Sequence, residues 1–189
     1  MNANVRPHVP KSMKVAVFGK PGGGKSTLSQ QVASVTNLPL HQLDLIQFVE
    51  GGAKVPDEVF IKRHSEILAN PRWVIDGFGT PRSFEDLLRA ADVLIYVERA
   101  AVVHYWWVTK KFILSPFSKP LGWPARSPML RSTISSYRFL RLSYKFWTPA
   151  FRATLLALQP GKRVYIVERQ SDVRAILNEL RRLAVCGEA

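Results

Sequence analysis

The sequence predicts a three-layer α/β domain, a parallel sheet of about five strands with helices on both faces. Three observations carry that expectation. Short β-rich apolar runs alternate with helix-like stretches from Lys14 onward. The first run leads at once into a glycine-rich turn and then a helix. The 189 residues, 47% hydrophobic and 22% charged, suit one domain with a sizeable core. Strands separated by helices pair in parallel through right-handed crossovers.

Residues 14–18 (KVAVF) are short, β-rich and closed by Gly19, as a buried parallel strand should be. Lys25–Thr36 reads as a helix closing at Asn37-Leu38-Pro39. Residues 40–43 read as a weak second strand ending at Asp44, Gly51-Gly52 as a turn, and residues 56–69 as a helix with Pro56 at its start. Residues 73–75 form a strand ending at Asp76-Gly77, and Ser83-Phe84-Glu85-Asp86 has the pattern of a capping box opening a helix to Ala90. Val93–Val97 (VLIYV) and residues 164–167 (VYIV) are further strands, and Ser171 can cap a last helix running to about Leu183. One stretch breaks the rhythm: residues 115–128 hold four prolines and Gly122, which predicts an irregular loop. It joins two expected helices, Ala101–Leu114 and residues 129–158, with Trp106, Phe139, Phe146 and Trp147 expected in the core. Residues 1–12 read as a loose extension and 13–185 as a single domain.

The turn after the first strand, Gly19-Lys20-Pro21-Gly22-Gly23-Gly24-Lys25-Ser26, matches G-x-x-x-x-G-K-[ST] at every position. Its glycines let the backbone curl so that several N–H groups point at one phosphate chain. The helix that follows, through Ser26 and Thr27, adds its partial positive charge. The motif therefore predicts a P-loop NTPase fold holding ATP and Mg2+. Lys25 would reach the β- and γ-phosphates, and the Ser26 hydroxyl would coordinate the metal. In an open α/β sheet the ligand sits beyond the carboxyl ends of the strands, where Asp44 and Asp76 are expected. Asp76 is a candidate for holding magnesium; Asp44 could orient or deprotonate an acceptor hydroxyl, or help with the metal. Either could instead simply cap a turn.

Charge is unevenly placed. The chain carries a formal +13, and residues 99–167 contain twelve Lys or Arg, thirteen aromatics and no Asp or Glu. Acidic partners follow: nucleotide phosphates, a nucleic acid backbone or an anionic membrane face. The apolar residues 93–108 are interrupted by Glu98, Arg99 and His104, which argues against a transmembrane helix. The N-terminus lacks the apolar core of a secretion signal. A single cysteine, Cys186, makes no internal disulfide, and beside a nucleotide motif it points to a reducing cytosol.

Residues 73–98 (WVIDGFGTPRSFEDLLRAADVLIYVE) resemble the adenylate kinase family, in which a strand runs into a D-G-F-P-R-T-like turn, a helix and another strand. A closer resemblance is to the adenylate-kinase-like proteins called DNA topology modulation proteins. Those share the L-D step (here Leu43-Asp44), the W-[VI]-I-D-G strand and an aromatic, basic helical segment. The resemblance implies phosphoryl transfer from ATP to a small acceptor such as a nucleoside monophosphate. It also implies an acceptor site between Asp44 and Arg82 with an insertion at about 45–70, and a basic helical lid at about 112–131. By the same resemblance Arg82 would meet the acceptor's phosphate, although Gly79-Thr80 stands where the family motif continues directly into Pro-Arg. Arg169, after the last strand, would approach the adenine base.

Arg126 and Arg131 flank the proline-rich loop and are the lid cations best placed to stabilise a transferring phosphoryl group. Arg138, Arg141 and Lys145 fall three and four apart, so they share a helix face. The same residues suit a different reading, an ATP-binding regulatory protein acting on nucleic acid, with bases stacked on rings. Most of this face should simply be solvated.

Overall fold

The computed structural model describes residues 12–114 and 129–186, with backbone only for 129–132 and 186. Residues 1–11 of the expected loose N-terminus and the proline-rich loop, 115–128, lie outside the described residues.

Five strands form one parallel sheet: β1 (Met13–Gly19), β2 (Leu40–Gln42), β3 (Arg72–Asp76), β4 (Val93–Val97) and β5 (Arg163–Val167), in spatial order β2-β3-β1-β4-β5. From β1 the chain moves outward to one side for β2 and β3, then crosses to the other for β4 and β5. β1 is therefore where strand order reverses, the place where α/β sheets open a crevice for ligands. The register brings Gln42 beside Asp76, Asp76 beside Val17, and Gly19 beside Val97, so these residues share the carboxyl edge.

Alternation along β1 divides the core in two. Val15 and Val17 point to an aliphatic layer with Val74, Ile95 and Val97. Two helices cover that layer: α1 (Lys25–Thr36), through Leu28 and Val32, and α8 (Gln170–Cys186), through Val173, Ile176 and Leu180. Ala16 and Phe18 point to an aromatic layer with Trp73, Tyr96, Phe84 and Trp147. That layer is closed by α3 (Asp57–Ala69), α4 (Pro81–Ala90) and α7 (Pro149–Leu156). Within it Trp147 stacks near Phe18 and Tyr96, with ring centroids 5.9 and 5.3 Å away.

Several boundaries differ from expectation for local reasons. Asp44 does not end β2; it is the second residue of a short helix, α2 (Leu43–Gln47). The capping box lies earlier than the Ser83–Asp86 pattern suggests. Thr80 is the N-cap and Ser83 its reciprocal partner, with Pro81 at the first helical position. At α8 the Asp172 carboxylate, not Ser171, accepts from the backbone N–H groups of Glu168 and Arg169 at 2.9 and 2.7 Å. The single helix expected over 129–158 is two: α6 (Met129–Ser143) and α7. The break falls where Thr148 caps Phe151 N–H and Pro149 follows, because a residue before proline is pushed out of helical geometry. Of four aromatics expected in the core, only Trp147 is buried, at 4% exposure; Trp106, Phe139 and Phe146 are exposed.

Candidate functional site

The loop between β1 and α1 is shaped by its glycines and by what packs beneath it. Gly22 has φ +74°, and a Cβ there would come within 2.5 Å of the His104 carbonyl oxygen. Gly24, φ +88°, is the N-cap of α1 and offers no side-chain cap. The first N–H groups of α1 are thus left for an anion, and no acidic residue stands in the first turn to compete. Gly19 closes β1 against Val97, and Gly23 packs on His104 and Val97.

The support beneath the loop is helix α5 (Ala101–Leu114). His104 is fully buried and its Nδ1–H donates to the Pro21 carbonyl at 2.7 Å, while Nε2 has no hydrogen-bond partner. Burial, reinforced by Lys25 and Lys20, brings its pKa down to about 4 against the opposing pull of the Pro21 bond. Lys20, also buried, ties the loop to the chain just after α6, its ammonium 4.2 Å from the ring centroid of Tyr144.

A cleft of about 490 Å³ opens over the loop. Residues 22–27 form its floor, Val103, Trp107, Lys110 and Lys111 of α5 one wall, and Gln170 and Val173 of α8 another. Thr27 lines it too, beside Ser26. Lys25 lies in this floor with its Nζ donating to the Lys20 carbonyl at 2.9 Å. That bond is internal to the loop, and an incoming phosphate can replace the carbonyl as acceptor.

Two carboxylates whose charges act on Lys25 lie outside the cleft lining. Asp76, on the last residue of β3, is buried; its Oδ2 receives a long 3.5 Å contact from Gln42 and its Oδ1 has no partner. Asp44 is reached by water yet flanked closely by protein. That desolvation, with Asp76 adding to it, raises its pKa, while Lys25 and Lys111 pull the other way. The same enclosure lowers the pKa of both lysines, Asp76 and Asp44 opposing it in each case. Lys25 and Lys111 thus line the cleft while coupling to the carboxylates beyond it.

An orphaned buried carboxylate oxygen, a backbone cradle that a Cβ would fill, and a hydroxyl at Ser26 fit a magnesium–triphosphate group. Among the described residues no three or more His, Cys, Asp or Glu cluster as metal ligands. A magnesium ion held by Ser26 and Asp76 would take its other ligands from phosphates and water, as this small hard cation prefers.

Other expected residues fall elsewhere. Arg82 lies exposed in the first turn of α4. Arg169 is exposed and does not line the cleft; in its place Arg99 lines it, anchored by a 3.0 Å bond to the Glu168 carbonyl. Arg126 and the side chain of Arg131 lie outside the described residues. Lys111, His104 and Trp107 were missed by motif reading. Their signal was periodicity: His104, Trp107, Val108 and Lys111 share one face of α5.

No family model matches the chain, and no curated protein does. Solved structures do. Shikimate kinase from Acinetobacter baumannii in complex with shikimate aligns at 14% identity over 94% of this chain and 96% of that one, with a TM-score of 0.54. Shikimate kinase from Bacteroides thetaiotaomicron aligns at 14% identity over 90% and 97%, with a TM-score of 0.50. The chain shares the three-layer α/β fold of these two structures.

Proposed function

We propose that this chain is a phosphotransferase that passes the γ-phosphoryl group of ATP to a small acceptor. The observation that carries the reading is the arrangement at the carboxyl edge of the sheet. Lys25 and Lys111 line the cleft over an anion cradle, and the charges of both act on Asp76 and Asp44 nearby. The loop amides and Lys25 hold the phosphates, and Arg99, Val103 and Trp107, which line the cleft beyond the loop, would meet the base and sugar. Mg2+ bound with the nucleotide, held by Ser26 and Asp76, would neutralise charge on the β- and γ-phosphates. The bond from the γ-phosphorus to the bridging oxygen breaks, a bond to an acceptor oxygen forms, and ADP leaves. Lys25 and Lys111 stabilise the charge that spreads over the phosphoryl oxygens.

The resemblance of residues 73–78 to nucleoside monophosphate kinases makes a nucleoside monophosphate the first acceptor to test, with Arg82 toward its phosphate. A hydroxyl acceptor is the second reading. The raised proton affinity of Asp44 suits a base that must take a proton, which an ionised phosphate acceptor does not require.

Transfer from ATP–Mg2+ should be measured against a panel of nucleoside monophosphates, then small hydroxyl compounds including shikimate, with Lys25→Ala as control. Turnover on one acceptor, falling by about 10²–10³ in the control, is the expected result. With a hydroxyl acceptor, kcat/KM should rise with pH through an acid limb above the ordinary carboxylate range, and Asp44→Asn should abolish that limb. ATP binding with no acceptor above background hydrolysis would overturn the kinase reading.

A further inference from the structure

The same segment that walls the cleft has an outward side that phosphoryl transfer leaves unused. On α5, Val102, Trp106 and Ile113 are 72%, 63% and 61% exposed and recur at four and seven residues, so they form one stripe. The stripe points away from His104 and Lys111, which face the loop and the cleft. Helix α6 packs beside α5, with Tyr105 stacked on Tyr137 and Thr109 hydrogen-bonded to the Tyr137 hydroxyl at 2.5 Å. Its exposed face interleaves Ile134 and Leu142 with Arg138 and Arg141, and Phe146 follows at 60% exposure. No aspartate or glutamate occurs from residue 99 to 167.

We infer that the α5–α6 pair docks on an anionic membrane surface, its apolar stripe entering the headgroup–acyl boundary and its arginines meeting lipid phosphates. Composition selects this occupant. Aliphatic side chains as exposed as Val102, Ile113 and Leu142 gain from hydrocarbon, whereas a single-stranded nucleic acid uses rings and cations and leaves aliphatics wet. A second copy of the chain would bring two unrelieved basic faces together. Anionic lipid supplies the missing negative charge and attracts each Lys or Arg near the surface. Among the described residues no helix is long and apolar enough to cross a membrane, so the contact is interfacial. This inference does not depend on the phosphotransferase reading.

The test is flotation of the full chain with phosphatidylcholine vesicles, with and without about 30% phosphatidylglycerol as the anionic component. Brominated acyl chains report tryptophan insertion. The expected result is binding only to the anionic vesicles, weakened by high salt, with tryptophan quenching. The Trp106→Ser/Ile113→Ser variant should lose about tenfold or more in partitioning while its melting temperature holds, and Arg138→Glu/Arg141→Glu should lose as much. No vesicle binding, equal binding to neutral vesicles, or binding unaffected by both variants overturns the proposal. So does binding to a single-stranded oligonucleotide without vesicle binding, or a concentration-dependent dimer that the Trp106→Ser/Ile113→Ser variant dissolves.

Discussion

The phosphate-binding loop and the α5–α6 pair lie against each other, yet they obtain their chemistry in opposite ways. The loop works through backbone: left-handed glycines, uncapped helix N–H groups and one lysine, all within eight consecutive residues. The helical pair works through the direction of its side chains, and similar residues end in opposite environments. Trp147, after α6, is 4% exposed in the aromatic layer, whereas Trp106 on α5 is 63% exposed. A function written in backbone geometry is local to its motif. A function written in burial depends on what the rest of the chain brings alongside.

The sharpest break of that comparison is a pair of tryptophan truncations. Trp147→Ala should cost about 3–5 kcal/mol in denaturant unfolding, because it empties a site walled by Phe18, Phe84, Tyr96 and Phe151. Trp106→Ala should stay within about 0.5 kcal/mol, as exposed substitutions do. Equal costs for the two would refute the division between a buried and a displayed set of aromatics.

Next in size is the joint between the two regions. The folded-state pKa of His104 is depressed to about 4 from an unfolded 6.5. Its stability contribution is therefore complete above pH 6.5 and is lost as pH falls toward 4, since the unfolded chain takes up the proton first. The loss approaches roughly 3 kcal/mol. His104→Asn keeps a donor for the Pro21 carbonyl and does not titrate, so its urea midpoint should fall less between pH 7 and pH 4. Parallel curves for the two proteins would remove His104 from the account.

The smallest effect separates a wall from a participant. Lys111→Ala should reduce phosphoryl transfer about tenfold to a hundredfold, with nucleotide affinity changed less, because in the proposed reaction its charge stabilises the transferring group. Lys110→Ala, which removes the ammonium 4.8 Å from the Trp107 ring centroid, should cost less in turnover. If Lys111→Ala raises KM for ATP and leaves kcat unchanged, Lys111 only lines the cleft.

Much of this was legible beforehand, element by element. The five strands, the parallel sheet and the helices of the first half follow from β-branched runs punctuated by glycine and proline, signals that act within a few residues. Asp44 does not end β2 because Leu43 already opens α2; a strand of only Leu40-His41-Gln42 leaves too little pattern to mark its end. The break between α6 and α7 was written in Thr148-Pro149, a cap followed by a proline at the first helical position.

By itself the sequence determined the loop. Eight residues of motif between a β-rich run and a helix dictate an anion cradle, because glycine torsions and uncapped N–H groups need no distant partner. It also set the charge asymmetry, which is composition alone. Only the tertiary structure decided that Asp44 and Lys111, 67 positions apart in sequence, come near enough for each charge to act on the other. It alone put His104 under Pro21 and turned Trp106 outward while Trp147 turned in. The physical reason is one of range. Backbone torsions are set by neighbours in the chain, but burial and electrostatic coupling are set by neighbours in space.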